Sequence, residues 1–356
     1  MKTFSRHFLL TGMAFTGLML LSGCQKSQIL PQASGRPYEV LVVLDNETWN
    51  APAGRALFNI LDTDVPMLPQ SERSFYIMQI EPKDMDQAFS IFRNIIQVNI
   101  NPKEFTTTRM RFMRNKAAMG QIVLTFNSPS QQDFKEFCEV HKQEVIDFLT
   151  RTEMNRLITD LEKKHSRVTD DLAWKIFACH IHAPKELTCF KKGEHFFWTS
   201  NNTPGAMVNV CMYSYPYEGP ETFNKAYMLA KRDSVMQANL PGSKPGMYMK
   251  TDTLCSEVKP IVVHNRYAME ARGLWYMEND CMGGPYVSHS RVDTETSRVV
   301  VVEGFVYAPE KMKRGLIRRL EGSLYTLLLP EEQYSLLDTG VEEAKPASSK
   351  EEQDKK

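Results

Sequence analysis

Two stretches of the chain share one plan, and it limits the folds open to the rest. Gln121 to Phe126 reads as a strand, Asn127-Ser128-Pro129 as a turn, and the segment from about Ser130 as an amphipathic helix. Phe134, Phe137, Cys138, Val145, Phe148 and Leu149 fall on one face of that helix, and a kink is expected near Thr150–Thr152. Ser297 to Tyr307 is strand material again. Pro309 then opens a helix with Met312, Leu316, Ile317, Leu320 and Leu324 inward and Lys311, Arg314, Arg318 and Glu321 outward. A strand followed at once by a one-sided helix needs a sheet for that helix to cover. The expected class is α+β, with mostly antiparallel sheets covered by amphipathic helices. The repeated plan is open to two readings: two related halves, or a unit common to any α+β fold.

Other runs fit the same scheme. Tyr38–Leu44, Ser74–Ile80, Ile95–Ile100, Trp174–Ile181, His195–Thr199, Met207–Tyr215 and Val287–Val292 have the β-branched, aromatic character of strands. Thr106–Arg114 is open to strand or helix. Pro52–Leu61, Asp84–Asn94 and Glu221–Gln237 carry helical spacing. The charged Lys163–Asp171 stretch is the expected boundary between an N-terminal half, 36–165, and a C-terminal half, 166–330. Residues 338–356 lack core residues and read as a disordered charged tail.

The first 23 residues are of another kind. Lys2 and Arg6 precede an apolar run from Phe8 to Leu20, and small residues lead into Cys24. This is the layout of a secretory signal peptide, and Leu21-Ser22-Gly23-Cys24 looks like a bacterial lipobox. That resemblance implies a diacylglyceryl group on the Cys24 thiol, cleavage before Cys24 and acylation of the new amine. An apolar run of ~14 residues is too short to span a bilayer, which takes ~20. Residues 24–35 form a polar tether, and Gln25 in place of Asp favours the outer membrane, facing the periplasm. Without residues 1–23 the chain has 41 basic and 43 acidic residues. That balance gives no general attraction for nucleic acid or an anionic bilayer. The partners expected are the membrane, through the lipid, and an envelope protein or glycan.

Seven cysteines are present. With Cys24 taken by lipid, Cys138, Cys179, Cys189, Cys211, Cys255 and Cys281 remain. Export permits disulfides, and Cys179–Cys189 is the nearest pair, but the six are scattered and read as free thiols.

The residues that bear chemistry form no complete motif. His180 and His182 would share a strand face and could offer two imidazoles to a metal, but no third ligand is identifiable, so no metal and no cofactor are expected. Gly283-Gly284 is open to a tight turn or an anion-binding nest. Trp275, Tyr276 and Tyr286 flank it and offer stacking faces for a sugar or peptide, or serve as core plugs. The candidate ligand residues are therefore Trp275, Gly283, Gly284 and Tyr286. Arg109, Arg111, Arg114 and Lys116 form a basic cluster, either a phosphate-headgroup site or a charge-guarded edge strand. Neither a Gly-x-Ser-x-Gly elbow nor a His-Glu-x-x-His pair occurs.

Several blocks are similar to an uncharacterised lipoprotein family of Bacteroides-type bacteria: Gly35-Arg36-Pro37-Tyr38-Glu39-Val40, Leu68-Pro69-Gln70, Arg93-Asn94, Met282-Gly283-Gly284-Pro285-Tyr286-Val287 and Glu303-Gly304-Phe305-Val306-Tyr307-Ala308-Pro309, followed by Lys313-Arg314 and Leu320-Glu321. The resemblance covers roughly Gly35 to Leu329. It implies export to a Gram-negative envelope and brings no activity, because the family is a domain of unknown function. The expectation is a lipid-anchored envelope protein that binds a partner without catalysis. The alternative is an enzyme acting on envelope glycan or lipid, with its site near Gly283–Tyr286.

Overall fold

A computed structural model of the protein describes residues 30–333. The signal segment 1–23, Cys24, the start of the tether and the 338–356 tail lie outside the described residues.

The N-terminal part is built on five strands: β1 (Glu39–Val43), β2 (Tyr76–Ile80), β3 (Asn94–Ile100), β4 (Arg109–Arg114) and β5 (Ile122–Ser128), in the order β2-β1-β3-β5-β4. β1 pairs in parallel with β2 and β3, and β3 with β5; only β4 runs antiparallel, at the edge. All five residues of β1 are buried, as expected for a parallel strand covered on both faces. Helices α1 (Asn46–Asn50), α2 (Pro52–Leu61), α3 (Gln87–Ser90), α4 (Gln131–Val140) and α5 (Lys142–Lys163) complete this part. Val40, Val42, Leu124 and Phe126 pack with Leu57, Ile60, Phe134 and Leu149 from α2, α4 and α5. A smaller cluster of Leu41, Val43, Phe92, Ile95 and Val123 fills the opposite face. Two of these helices start at a sequence signal: Pro52 stands in the first turn of α2, and the Ser130 side chain accepts the Asp133 N–H at α4. The expected long helix breaks at His141, not near Thr150–Thr152.

The C-terminal part opens with α6 (Arg167–Phe177), whose last turn takes up the first half of what the sequence suggests is a strand, Trp174–Ile181. Ser166 caps this helix, and Leu172 and Ala173 press it onto the sheet. Seven strands follow: β6 (Cys189–Gly193), β7 (Phe196–Ser200), β8 (Met207–Pro216), β9 (Met249–Val263), β10 (Arg266–Met277), β11 (Gly283–Asp293) and β12 (Arg298–Tyr307), in the order β6-β7-β8-β12-β11-β10-β9. All its pairings are antiparallel. Helix α7 (Lys225–Asn239) covers one face; α6 and α8 (Arg314–Leu324) cover the other. α8 lies very close to β12, because a Cβ on Gly304 would fall 2.7 Å from the Leu320 Cβ.

The fold is therefore α+β, and most strand pairings across the two sheets are antiparallel. The parallel ones all lie in the N-terminal sheet. That sheet has no counterpart in the C-terminal part, so the shared strand–turn–helix plan is local and does not extend to two halves of the same topology.

The two sheets are joined through α8. The Glu72 carboxylate accepts the backbone N–H groups of Lys313 (2.7 Å) and Arg314 (2.8 Å), at the start of the helix. The Arg314 guanidinium lies 3.8 Å from the Tyr76 ring, and that of Arg318 lies 5.3 Å from the Tyr38 ring. α8 thus has neighbours on two sides. Arg314, Arg318 and Glu321, expected to face solvent, are buried, while Met312, expected inward, is exposed.

Candidate functional site

The Gly283–Tyr286 block differs from the Gly-rich loop that the sequence suggests. Gly283 and Gly284 open β11 and pair with Tyr276 and Trp275 of β10. They are needed for close approach of the backbones. A Cβ on Gly284 would fall 2.0 Å from the Val306 carbonyl oxygen, and one on Gly283 would fall 2.9 Å from that of Trp275. Tyr286 is fully buried, with the Arg232 guanidinium 4.0 Å from its ring and its hydroxyl donating to Ser256 Oγ at 3.2 Å. Trp275 is buried too, and its Nε1–H donates to the Val306 carbonyl. Trp275 does reach the wall of an apolar cleft of about 260 Å³, where it meets Trp198, Met249, Met277, Met282 and Tyr307. The polar groups of that cleft are already engaged: Trp198 Nε1 donates to Asn209 Oδ1, and Lys191 Nζ to the Asn239 carbonyl.

A larger cleft, about 480 Å³, opens where the chain enters the fold. Gln32 and Ser34 are bridged in parallel to Met119 and Phe92, with Ala33 N–H on the Met119 carbonyl and Ser34 N–H on that of Ile91. Beside this strap lie Arg93, just before β3, Arg114, at the end of β4, and a polar stripe of α5: Thr152, Asn155, Arg156, Thr159, Asp160 and Lys163. These helix positions recur at intervals of three or four residues, so they share one face. At the back, the buried Glu153 carboxylate accepts Arg93 (2.8 Å), Arg156 (2.6 Å) and Asn94 (2.6 Å). Arg156 also donates to the carbonyls of Gly120 and Arg93, so its guanidinium is fixed. Burial lowers the pKa of Arg156, against the pull of Glu153. Arg114 and Lys163 have no hydrogen bond or ion pair among the described residues; Arg114 leans over the Phe112 ring, 5.7 Å from its centroid.

β4, with Arg109 and Arg111 on one face, is an exposed edge strand, the charge-guarded arrangement. His180 and His182 lie outside the twelve strands, and His180 makes an isolated antiparallel bridge to Leu328. His180 Nδ1 lies 3.0 Å from Asp170 Oδ1 and its ring stacks on Trp174; the His182 ring stacks on His165 at 4.1 Å. Burial lowers the pKa of His182. Among the described residues no three His, Cys, Asp or Glu side chains converge as metal ligands. Cys179 and Cys189 are not bridged; all six cysteines from Cys138 on are free thiols.

Two buried charge clusters escaped the sequence reading. On the α7 side, Arg232 and Glu303 form a paired contact at 2.9 and 2.7 Å, and Arg232 also donates to Thr251 Oγ1. Burial raises the pKa of Glu303 despite that partner. On the α8 side, Arg272 joins Glu321 (2.6 Å) and Glu270 (3.4 Å), and the fully buried His289 has its Nε2 3.8 Å from Glu270. The signal was available: Glu303 sits at an inward position of an otherwise apolar strand, Val299-Val300-Val301-Val302-Glu303.

No curated protein matches the chain. Residues 33–162 match the domain of unknown function DUF8532, and residues 166–326 match the domain of unknown function DUF4837, so nearly all of the described chain is similar to domains without an assigned activity.

Proposed function

We propose that the protein is a lipid-anchored component of a Gram-negative cell envelope, held by acylated Cys24 on the periplasmic side of the outer membrane, where it binds an envelope component. The observation that carries this reading is the course of the N-terminal strap. Pro31, Ala33 and Ser34 are hydrogen-bonded to the fold at the mouth of the basic cleft, where Gln32 is bridged to Met119. Only eight positions separate Gln32 from Cys24, so the acylated residue lies under about 30 Å of extended chain from that cleft. Three acyl chains at ~0.8 kcal/mol per buried methylene make such an anchor effectively permanent. A binding role is supported by ligand-sized clefts, among them one apolar and one basic. The enzymatic alternative requires a polar cleft at Gly283–Tyr286, where the chain has strand residues and a buried Tyr286.

The test is intact-mass analysis of the protein purified from membranes, with fractionation of the wild type and of Cys24→Ala. The expected result is a mature N-terminus at Cys24 carrying three acyl chains, recovery of the wild type with the outer membrane, and loss of processing in the variant. An unacylated wild type recovered in the soluble periplasmic fraction would overturn the reading.

A further inference from the structure

We infer that the cleft beside the N-terminal strap is a recognition site for a phosphate group, held by Arg114 and Lys163 on a frame made by Arg93 and Arg156. Four cations from three separate segments converge on one cleft, and only two carboxylates accompany them. Of those, Glu153 is consumed at the back by Arg93, Arg156 and Asn94. Arg156 is spent on positioning. Arg93 keeps a covered Nε with no acceptor among the described residues. Arg114 and Lys163 are exposed and carry no ion pair there. Asn155 and Thr159 of α5 line the same cleft and add hydrogen-bonding groups to it. The combination suits a phosphate: two exposed cations, neutral hydrogen-bonding groups on the same cleft, and a fixed guanidinium behind them.

The chemistry is shared by a lipid phosphate headgroup and a soluble phosphate. A headgroup as the source rests on the anchored reading; the site itself does not. Of the β4 charges only Arg114 belongs to the site, because Arg109 and Arg111 do not line the cleft.

The test reads acetylation of Lys163 by mass spectrometry, with exposed Lys116 as the internal reference. It uses the full protein purified from membranes in non-ionic detergent, alone, with inorganic phosphate, and with phosphatidylglycerol in the micelle. Selective protection of Lys163 is expected, with about tenfold weaker protection in Arg114→Gln from loss of a charge-assisted contact and none lost in Arg109→Gln. Protection by inorganic phosphate identifies a soluble ligand as sufficient; protection by phosphatidylglycerol alone identifies the headgroup. No protection by either probe, or equal protection in Arg114→Gln, would overturn the site. Phosphate protection in a chain that proves unacylated would leave the site standing and remove the membrane as its source.

Discussion

Gly322 of α8 faces Leu157 of α5 so closely that a Cβ on the glycine would fall 2.5 Å from Leu157 Cδ2 and 2.9 Å from its Cγ. Met154 Sδ closes the same contact at 3.2 Å. A helix-interior glycine is ordinarily a cost of about 1 kcal/mol relative to alanine. Here the packing outweighs it, because only a bare Cα lets α5 and α8 meet. Gly322→Ala should therefore destabilise by ~1–3 kcal/mol, the usual range for overpacking. Adding Leu157→Ala should recover part of that loss. Urea denaturation of the two variants checks it; a Gly322→Ala protein more stable than wild type would refute the contact.

Arg232 and Glu303 are a buried pair with nothing else to neutralise either one as closely. Arg232→Met leaves a carboxylate in the core and should cost ~3–5 kcal/mol. The double variant Arg232→Met/Glu303→Leu removes both charges and should be far less destabilised than the single. Chemical denaturation of wild type, both singles and the double gives the coupling directly. Strict additivity would mean that the pair does not act as one unit.

Cysteine reactivity should divide by burial. Burial raises the pKa of the Cys138 and Cys179 thiols to about 12 and lifts that of Cys211 well above the ordinary thiol value. Cys189 and Cys281 are exposed. At mildly alkaline pH a maleimide should label Cys189 and Cys281 within minutes and leave Cys138, Cys179 and Cys211 untouched until denaturant is added. Peptide mapping reads the result, and early labelling of Cys211 would contradict the packing under α7.

Glu332 ties the end of the described chain to the C-terminal sheet. Burial pushes its carboxyl up, but His264, Arg291 and the Leu329 N–H outweigh that and bring it down to about 2. A depressed carboxylate stabilises the fold above its unfolded value, ~4.3. That contribution is lost as pH falls from there towards 2. Glu332→Gln should lower stability at pH 7 and flatten its decline between pH 4.5 and 2.5, measured as urea midpoints. An unchanged acid profile would show that the contact does not persist in solution.

Much of the fold was readable because strands and helices with one neighbour write their burial into the sequence. The β11–β12 hairpin and the start of α4 after Ser130 follow directly from alternation and capping. α8 was misread for the opposite reason. Its Arg314, Arg318 and Glu321 look like a solvent face, yet the N-terminal part covers them, and helical periodicity carries no trace of a second partner. Trp174–Ile181 misled through composition: its apolar run suits a strand, while the Ser166 cap that makes it helical lies upstream. The glycine block was noticed for the right residue type and the wrong role, since close backbone approach and turn formation both demand glycine. The basic cleft draws Arg93, Arg114 and the α5 stripe from distant segments. Only Arg114 stood out locally, in a cluster whose other members point elsewhere.

The Glu72 carboxylate on Lys313 and Arg314 also separates two kinds of boundary. The family matches divide in the short link between α5 and α6, and a protease cutting there would sever one strand of covalent chain. The clamp would remain, because Glu72 belongs to one side of the cut and the helix it caps to the other. The nicked protein would run as a single particle and come apart only in denaturant. A gene fragment encoding residues 166–326 alone would leave the first N–H groups of α8 and the face that carries Arg318 without their partners. The seam that divides the two families in sequence is thus a place where the folded molecule is cooperative.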